Sequence, residues 1–327
     1  MMKKRGVFLL MVLLLLAAIL FSIRVGSVSV SYRDIINAFQ SDAKGVAAIV
    51  RDIRLPRIFL AVIVGANLAV SGVLLQGVMQ NLMADPGITG ISSGASVVVM
   101  IVMLYFPGAA AGRPLLGFLG GVLACILIYS LAWKKGLSAI RIVLAGVAVN
   151  SMLGGVTSMI SLLNSESLSG VLSWLNGELG KKGWDQVQSV FIYSIIGLVL
   201  AFLCSRCCDL LALGDKNTKS LGYNPNVLRM VISGIAVFLA GISTAYVGVI
   251  GFIGLVVPHM SRMIMGSEHK RLIPFSALLG SIVLLLADTI GRTVIAPYEI
   301  PVGVIMTVCG GPFFLYLLRK DSKGYGD

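Results

Sequence analysis

Charge is what this chain of 327 residues has least of. Asp, Glu, Lys and Arg make up 12% of it, against 57% hydrophobic residues, and the mean hydropathy is +0.96. A soluble domain carries about 25% charged residues. A water-facing surface for a chain of this length cannot be built from so few, so the composition excludes a soluble enzyme or binding module and suits a surface that faces lipid. Acid is scarcer than base: 14 Asp and Glu stand against 26 Lys and Arg, a net charge of +12. Such an excess would suit nucleic acid if it were clustered on one polar face. Here the basic residues punctuate apolar runs, which excludes a nucleic-acid partner. The chain has two histidines and five cysteines. Cys125 and Cys309 lie inside apolar runs, and Cys204, Cys207 and Cys208 end one. An odd count without an extracellular spacing pattern argues against a disulfide framework, and the thiols read as small packing residues rather than metal ligands. No G-x-x-x-x-G-K-[ST] phosphate loop occurs, so any ATP used is hydrolysed on another chain.

Uncharged runs are what the chain has in abundance. A membrane-spanning helix needs about 20 mostly apolar residues. Arg57 and Asp85 bracket one such run, and Asp85 and Arg113 bracket the next. The pattern predicts an all-α polytopic bundle of ten transmembrane helices near 7–28, 58–80, 90–107, 115–133, 138–160, 187–207, 227–246, 250–265, 274–296 and 302–319. The 32 uncharged residues between Arg229 and Arg262 would measure ~48 Å as one helix, more than the hydrocarbon core of roughly 30 Å. Gly248, Gly251 and Gly254 interrupt the run and Pro258 follows, so it divides into two elements; read instead as one tilted helix, it gives nine spans. The basic start Met-Met-Lys-Lys-Arg followed by Val7–Phe21 is compatible with a signal peptide, but no small-x-small cleavage site precedes a polar start, and the segment reads as the first span.

Lys and Arg fall mainly on the side of the N-terminus, which places both termini in the cytoplasm of a bacterial or archaeal plasma membrane. The basic outer segment 24–57 goes against that bias. The whole of 1–327 reads as one transmembrane domain. Its outer connections are 29–57, with a short helix near Tyr32 to Phe39, and 161–186. Its longest inner loop is 208–225, and 320–327 is a short charged tail. The 38 glycines, with Gly65, Ala69 and Gly72 on one helix face, suit close helix packing in lipid. A glycine-rich bundle of this kind is a transporter or channel.

Particular segments go further. Arg54-Leu55-Pro56-Arg57 is followed by Gly65, Ser71-Gly72, Gln76, Ala84-Asp85-Pro86, Gly90 and Ser93-Gly94-Ala95. Ser173-Trp174-Leu175-Asn176-Gly177 lies in the second outer loop. Leu213-Gly214-Asp215 leads to Ser220-Leu221-Gly222 in the inner loop. Gly251-Phe252-Ile253-Gly254 continues through Pro258-His259, Arg262, Asp288, Arg292 and Pro301-Val302-Gly303 to Gly310 and Pro312. In these segments the chain resembles the permease subunits of ATP-binding-cassette importers for iron-siderophores, heme and cobalamin, over nearly its whole length. It departs from that pattern at Gln80-Asn81-Leu82-Met83-Ala84, where the family commonly has Arg-Asn-Pro-Leu-Ala.

The resemblance implies a pore subunit without catalytic, metal or cofactor residues of its own, with ATP and Mg held by a partner. Implied partners are a second permease copy or close paralogue, two cytoplasmic ATPase subunits and an extracytoplasmic substrate-binding lipoprotein. The implied cargo is a ferric siderophore, with heme or cobalamin as alternatives. Arg54, Arg57 and Arg292 are expected to dock the binding protein, although arginines at helix ends also snorkel to lipid phosphates. Asp215, Ser220, Leu221 and Gly222 are expected to couple to the ATPase, with Asp215 capping a short helix and Gly222 ending it. Gly72, Gln76, Pro86, Gly94, Gly251, Gly254, Pro258, His259, Asp288, Pro301 and Gly303 are expected at helix breaks and packing contacts around the pore. Asp288 and Arg292 lie four apart on one helix face; Asp288 reads as structural and Arg292 as partly exposed. Trp174 fits an interfacial anchor equally well. A secondary transporter of a different class would place ion-coupling carboxylates near the midplane; Asp288 is the main in-span acid here, and an Arg sits one turn away.

Overall fold

The computed structural model describes residues 2–321 apart from 27–29, 39–43, 135, 166–168, 181 and 297. The expected tail lies outside the described residues from 322 onward. Every regular element among the described residues is helical. In chain order these are α1 (Met2–Arg24), α2 (Tyr32–Asn37), α3 (Val46–Ile49), α4 (Leu55–Met79), α5 (Ile91–Tyr105), α6 (Arg113–Ala132), α7 (Ala139–Leu163), α8 (Ser169–Leu175), α9 (Trp184–Leu203), α10 (Ser205–Ala212), α11 (Asp215–Ser220), α12 (Pro225–Val247), α13 (Ile253–Met265), α14 (His269–Gly291) and α15 (Val302–Asp321).

Seven helices among the described residues are long and apolar enough to cross a membrane, while Ile91–Tyr105 and Ile253–Met265 are apolar but shorter; α15 runs over Val302–Asp321, with Val302–Tyr316 as its apolar part. Each of the ten expected spans falls on one of these helices, but only seven stand out as clear spans. The shortfall has local causes. Asp85-Pro86-Gly87 opens a 3-10 turn over Pro86–Thr89, and Gly90 at φ +79° delays α5 to Ile91. Gly248 at φ +82° ends α12, and Gly266 at φ +83° ends α13. Separate elements on either side of 248–252 match the reading from the sequence.

The second expected span starts too late. A π-helical turn over Val50–Arg54 joins α3 to α4, so the helix runs unbroken over Val46–Met79. The π turn falls just before Pro56, whose nitrogen cannot donate to the ladder. Pro258 lies inside α13, within the eighth expected span. The break at Cys204 divides the sixth expected span from α10, so 208–225 begins as helix.

Helix α4 is the axis of the bundle. It is buried along nearly all its length and packs against α14, α12, α13 and α9. Two glycine pairs set the closest approaches. A Cβ on Gly65 would run into the Gly280 carbonyl of α14, and one on Gly72 into the Gly254 carbonyl of α13. Lipid supplies no hydrophobic drive between helices, so backbone contact of this kind carries the packing. At the centre Asn67 donates to Ser194 Oγ of α9 at 2.7 Å and to Ser243 Oγ of α12 at 3.2 Å. Trp174 is buried against Ala95 and Val99, so it is not an interfacial anchor. Its carbonyl faces Gly248, and the Asn176 carbonyl accepts from Gly303 N at 3.0 Å. The Ser173–Gly177 segment thus ties the α12–α13 break to the start of α15.

Candidate functional site

The residues singled out from the sequence fall at the two ends of α4 and along its length. At the Arg57 end meet the C-termini of α1, α12 and α14 and the N-termini of α4, α6, α9 and α15. Arg57 Nε donates to Asp288 Oδ1 at 2.9 Å and Nη1 to Glu299 Oε2 at 2.7 Å. Asp288 is 1% exposed, and its distance to Arg292 Nε is 3.5 Å. Arg292 Nη2 donates to the Ser22 carbonyl at 2.6 Å and Arg54 Nη1 to the Ile23 carbonyl at 2.8 Å. These are carbonyls of the last turn of α1, which have no partner within their own helix. Two arginines from α4 and the end of α14 therefore staple α1 to the bundle.

Arg292 was expected to be partly exposed and is buried, at 3% exposure. Arg54 and Arg57 are buried as well. The physical reason is that a guanidinium at this depth must be paired, and Asp288, Glu299 and the α1 carbonyls supply the partners within the chain. The network reaches solvent at Glu299, whose side chain is 46% exposed. Asp288 belongs mainly to Arg57 across the α4–α14 contact rather than to Arg292 along its own helix.

Along α4, Gln76 donates to the carbonyls of Gly254 and Leu255 at 3.3 and 3.4 Å and accepts from Arg262. Pro86 packs on Gly254, and Gly94 faces Gly120 of α6. Gly251 lies in the α12–α13 break with open space where a Cβ would stand, and Phe252 after it takes a left-handed conformation at φ +67°. His259 lies half-buried on α13, and Pro301 directly precedes α15.

At the opposite end α10 and α11 occupy the connection expected on the inner side. Gly214, not Asp215, is the N-cap of α11. Asp215 stands in the first turn, where a carboxylate suits the helix dipole. It also forms a bidentate pair with Arg229 of α12, at 2.9 and 3.0 Å. Ser220 hydrogen-bonds the Lys216 carbonyl at 3.0 Å. Gly222 at φ +84° ends the helix, with Tyr223 N reaching back to the Thr218 carbonyl. The apolar side chains of Leu213, Leu221 and Tyr223 are exposed here, as are Leu82 and Met83 in the loop after α4, which Gln80 ties to the Leu211 carbonyl at 2.6 Å. Sequence reasoning missed the Asp209–His269 contact, 2.6 Å from Oδ1 to Nδ1, and assigned no role to Glu299 or Arg229. Their lone charges beside apolar runs were the available signal. No cluster of three or more metal-ligating side chains occurs among the described residues.

Residues 14–320 match the FecCD transport family. The chain is 36% identical to the Fe(3+)-citrate import system permease protein YfmD of Bacillus subtilis, over 97% of this chain and 95% of that one. It is 36% identical to IsdF of Staphylococcus aureus, described as a probable heme-iron transport system permease protein, over 98% of each chain. A solved inward-facing transporter of the metal-chelate ABC type superposes with a TM-score of 0.86 at 27% identity, covering 97% of this chain and 99% of that one. With the match running through both ends of α4, the inner loop and the glycine contacts between them, the chain belongs to the FecCD transport family.

Proposed function

We propose that this chain is the membrane-spanning permease subunit of an ATP-binding-cassette importer and that it forms the path for a ferric siderophore. As a member of its family it is a multi-pass plasma-membrane transport component and not an enzyme. The observation that carries the proposal is the end-to-end likeness to permeases whose cargo is an iron complex. Heme remains the second reading, because the heme-iron relative is as similar as the ferric-citrate one, at 36% each; cobalamin is a third. Growth of a deletion strain on single iron sources tests cargo. Loss of growth on ferric siderophores with growth on heme intact supports the first reading, and the reverse supports the second.

In this reading the ten apolar helices all cross the bilayer, the short α5 and α13 with help from their neighbours, and both termini face the cytoplasm. The Asp215 end then faces the ATPase, which binds ATP and Mg. Apolar Leu221 exposed beside a helix fixed by the Asp215–Arg229 pair suits a plug for a partner's groove. A second copy or close paralogue completes the pore. Ion-coupled transport fits less well, since Asp288 is already paired with Arg57.

The Arg57 end faces outward and receives the binding protein. Docking at Arg54, Arg57 and Arg292 then proceeds by exchange, with an acidic side chain of the binding protein displacing Glu299 from Arg57. Replacement of Glu299 by Gln removes the competitor, so association becomes several-fold faster at low salt; an unchanged rate would sink the exchange.

A further inference from the structure

Three cavities on one face of the bundle join end to end. The first, of about 390 Å³, lies at the Arg57 end among Arg113 and Pro114 of α6, Trp174, Lys182 just before α9, and Tyr246 of α12. The second, of about 330 Å³, shares Pro114, Ala245 and Tyr246 with the first and continues past Phe118 and Phe238. The third, also about 330 Å³, shares Phe118 and Phe238 with the second and runs on past Cys125 to Tyr129 and Met230. Helix α12 forms the floor throughout, with α6 as one wall and α9 as the other in the first two. From Arg113 to Tyr129 α6 advances ~24 Å. One leaflet, headgroups included, is roughly 20–22 Å deep.

The chemistry changes along this path. The first cavity is polar and is lined by two cations, Arg113 and Lys182, and one carboxylate, Asp185, with Glu178 acting on Lys182 from beyond the lining. Burial pushes the Lys182 ammonium below the ordinary lysine range, the Arg113 charge pushes it the same way, and only Glu178 opposes them. An anion placed there would offset the cost of keeping both cations charged. The second and third cavities are lined mainly by apolar side chains. Their polar groups at the far end satisfy each other, with Tyr129 Oη and Ser233 Oγ 2.7 Å apart. Phe118 and Phe238 meet edge to face where the two cavities join, with centroids 6.2 Å apart. A cationic head cavity continuous with an apolar trough matches an amphiphile. A free anion has no use for the trough, and cavities of this size do not admit a helix about 10–12 Å across.

We propose that this face holds one anionic glycerophospholipid, with its phosphate between Arg113 and Lys182 and one acyl chain laid along α12 past the Phe118–Phe238 junction. The proposal does not rest on the transport reading above. Gly234 lines the third cavity, and a Cβ there would meet nothing within 4 Å. A larger side chain at 234 therefore fills the trough without disturbing its walls.

The test uses the purified, delipidated full chain and native mass spectrometry, with dioleoylphosphatidylglycerol, dioleoylphosphatidylcholine and inorganic phosphate as separate probes. The expected result is one phosphatidylglycerol per chain, bound at least tenfold more tightly than phosphatidylcholine. Arg113→Gln with Lys182→Gln removes the preference, and Arg113→Lys keeps it. Gly234→Leu lowers occupancy by both lipids at least fivefold. Equal retention of the two lipids, saturable phosphate binding without lipid binding, or unchanged occupancy in Gly234→Leu would overturn the proposal. So would a change of oligomeric state in Gly234→Leu, which would assign the trough to a second copy of the chain.

Discussion

Arg57 of α4 and Asp288 of α14, 231 positions apart, are joined by a buried ion pair with Nη2 2.9 Å from Oδ1. Removing one partner of a buried pair leaves an uncompensated charge and costs about 3–5 kcal/mol. Exposed pairs contribute about 0–1 kcal/mol. Asp288→Asn is therefore expected to lower the thermal unfolding midpoint of the purified chain by far more than Glu299→Gln, because Asp288 is buried and Glu299 is half exposed. Equal midpoints for the two variants would mean that the pair does not hold α4 to α14.

The glycine contacts make a sharper contrast. Gly72→Ala drives a methyl group into the Gly254 backbone, whereas Gly251→Ala meets open space. Overpacking of a tight contact costs typically 1–3 kcal/mol. Gly72→Ala should reduce folded yield and thermal midpoint, and Gly251→Ala should leave both near wild type. Size-exclusion profiles and thermal scans in detergent read both effects; the reverse order would refute the close α4–α13 packing.

Coupling is tested at Leu221, which is 56% exposed. Leu221→Asp should cost little in folding, since nothing buried is lost. It should weaken retention of the ATPase subunit at least tenfold, because burying an unpaired carboxylate in a partner's groove is costly. Affinity capture of the ATPase by the variant at wild-type level would remove this loop from the coupling role.

A pH effect is expected at α2. Asp34 and Ser31 form a reciprocal cap, with the Asp34 carboxylate accepting from the Ser31 hydroxyl at 2.6 Å and from its backbone N–H at 2.9 Å. These bonds hold the carboxyl below the usual aspartate range, the hydroxyl contributing most. A lowered folded-state value means that the cap's contribution is complete above the ordinary range, near pH 4, and is lost as pH falls through the lowered value. Hydrogen exchange at the Ser31 amide, corrected for intrinsic rate, should be flat above about pH 4 and accelerate below it. Asp34→Asn should abolish that step; a step that persists would assign it to another group.

The membrane bundle could be read from the sequence because charge is excluded from lipid-facing helices, so the uncharged runs mark them directly. The α12–α13 break was legible for a similar local reason: Gly248 and Gly251 sit inside a run too long for one crossing. The lengths of α5 and α13 were not, because Gly90, Gly248 and Gly266 bound the helices through positive φ angles that composition does not encode. The exposure of the arginines was not legible either. Arg54 and Arg292 are buried because α1 returns its C-terminal carbonyls to them, and Arg57 because α4 and α14 approach through Gly65 and Gly280. The Arg57 and Arg292 contacts join segments more than 200 positions apart, and the Arg54 contact joins residues 31 apart. Asp215 lies on the short helix as expected, but in its first turn rather than at its cap, and its pairing with Arg229 of α12 was not legible from the sequence.

In the proposed function this chain forms an iron-complex path driven by a separate ATPase. That function is tested by reconstituting the chain with its ATPase in proteoliposomes, adding the binding protein outside, and following ⁵⁵Fe-siderophore entry with ATP inside. Uptake is expected to require ATP, to stop when the ATPase is omitted, and to be unaffected by collapsing ion gradients. Uptake that persists without ATP and disappears with the ion gradient would contradict it.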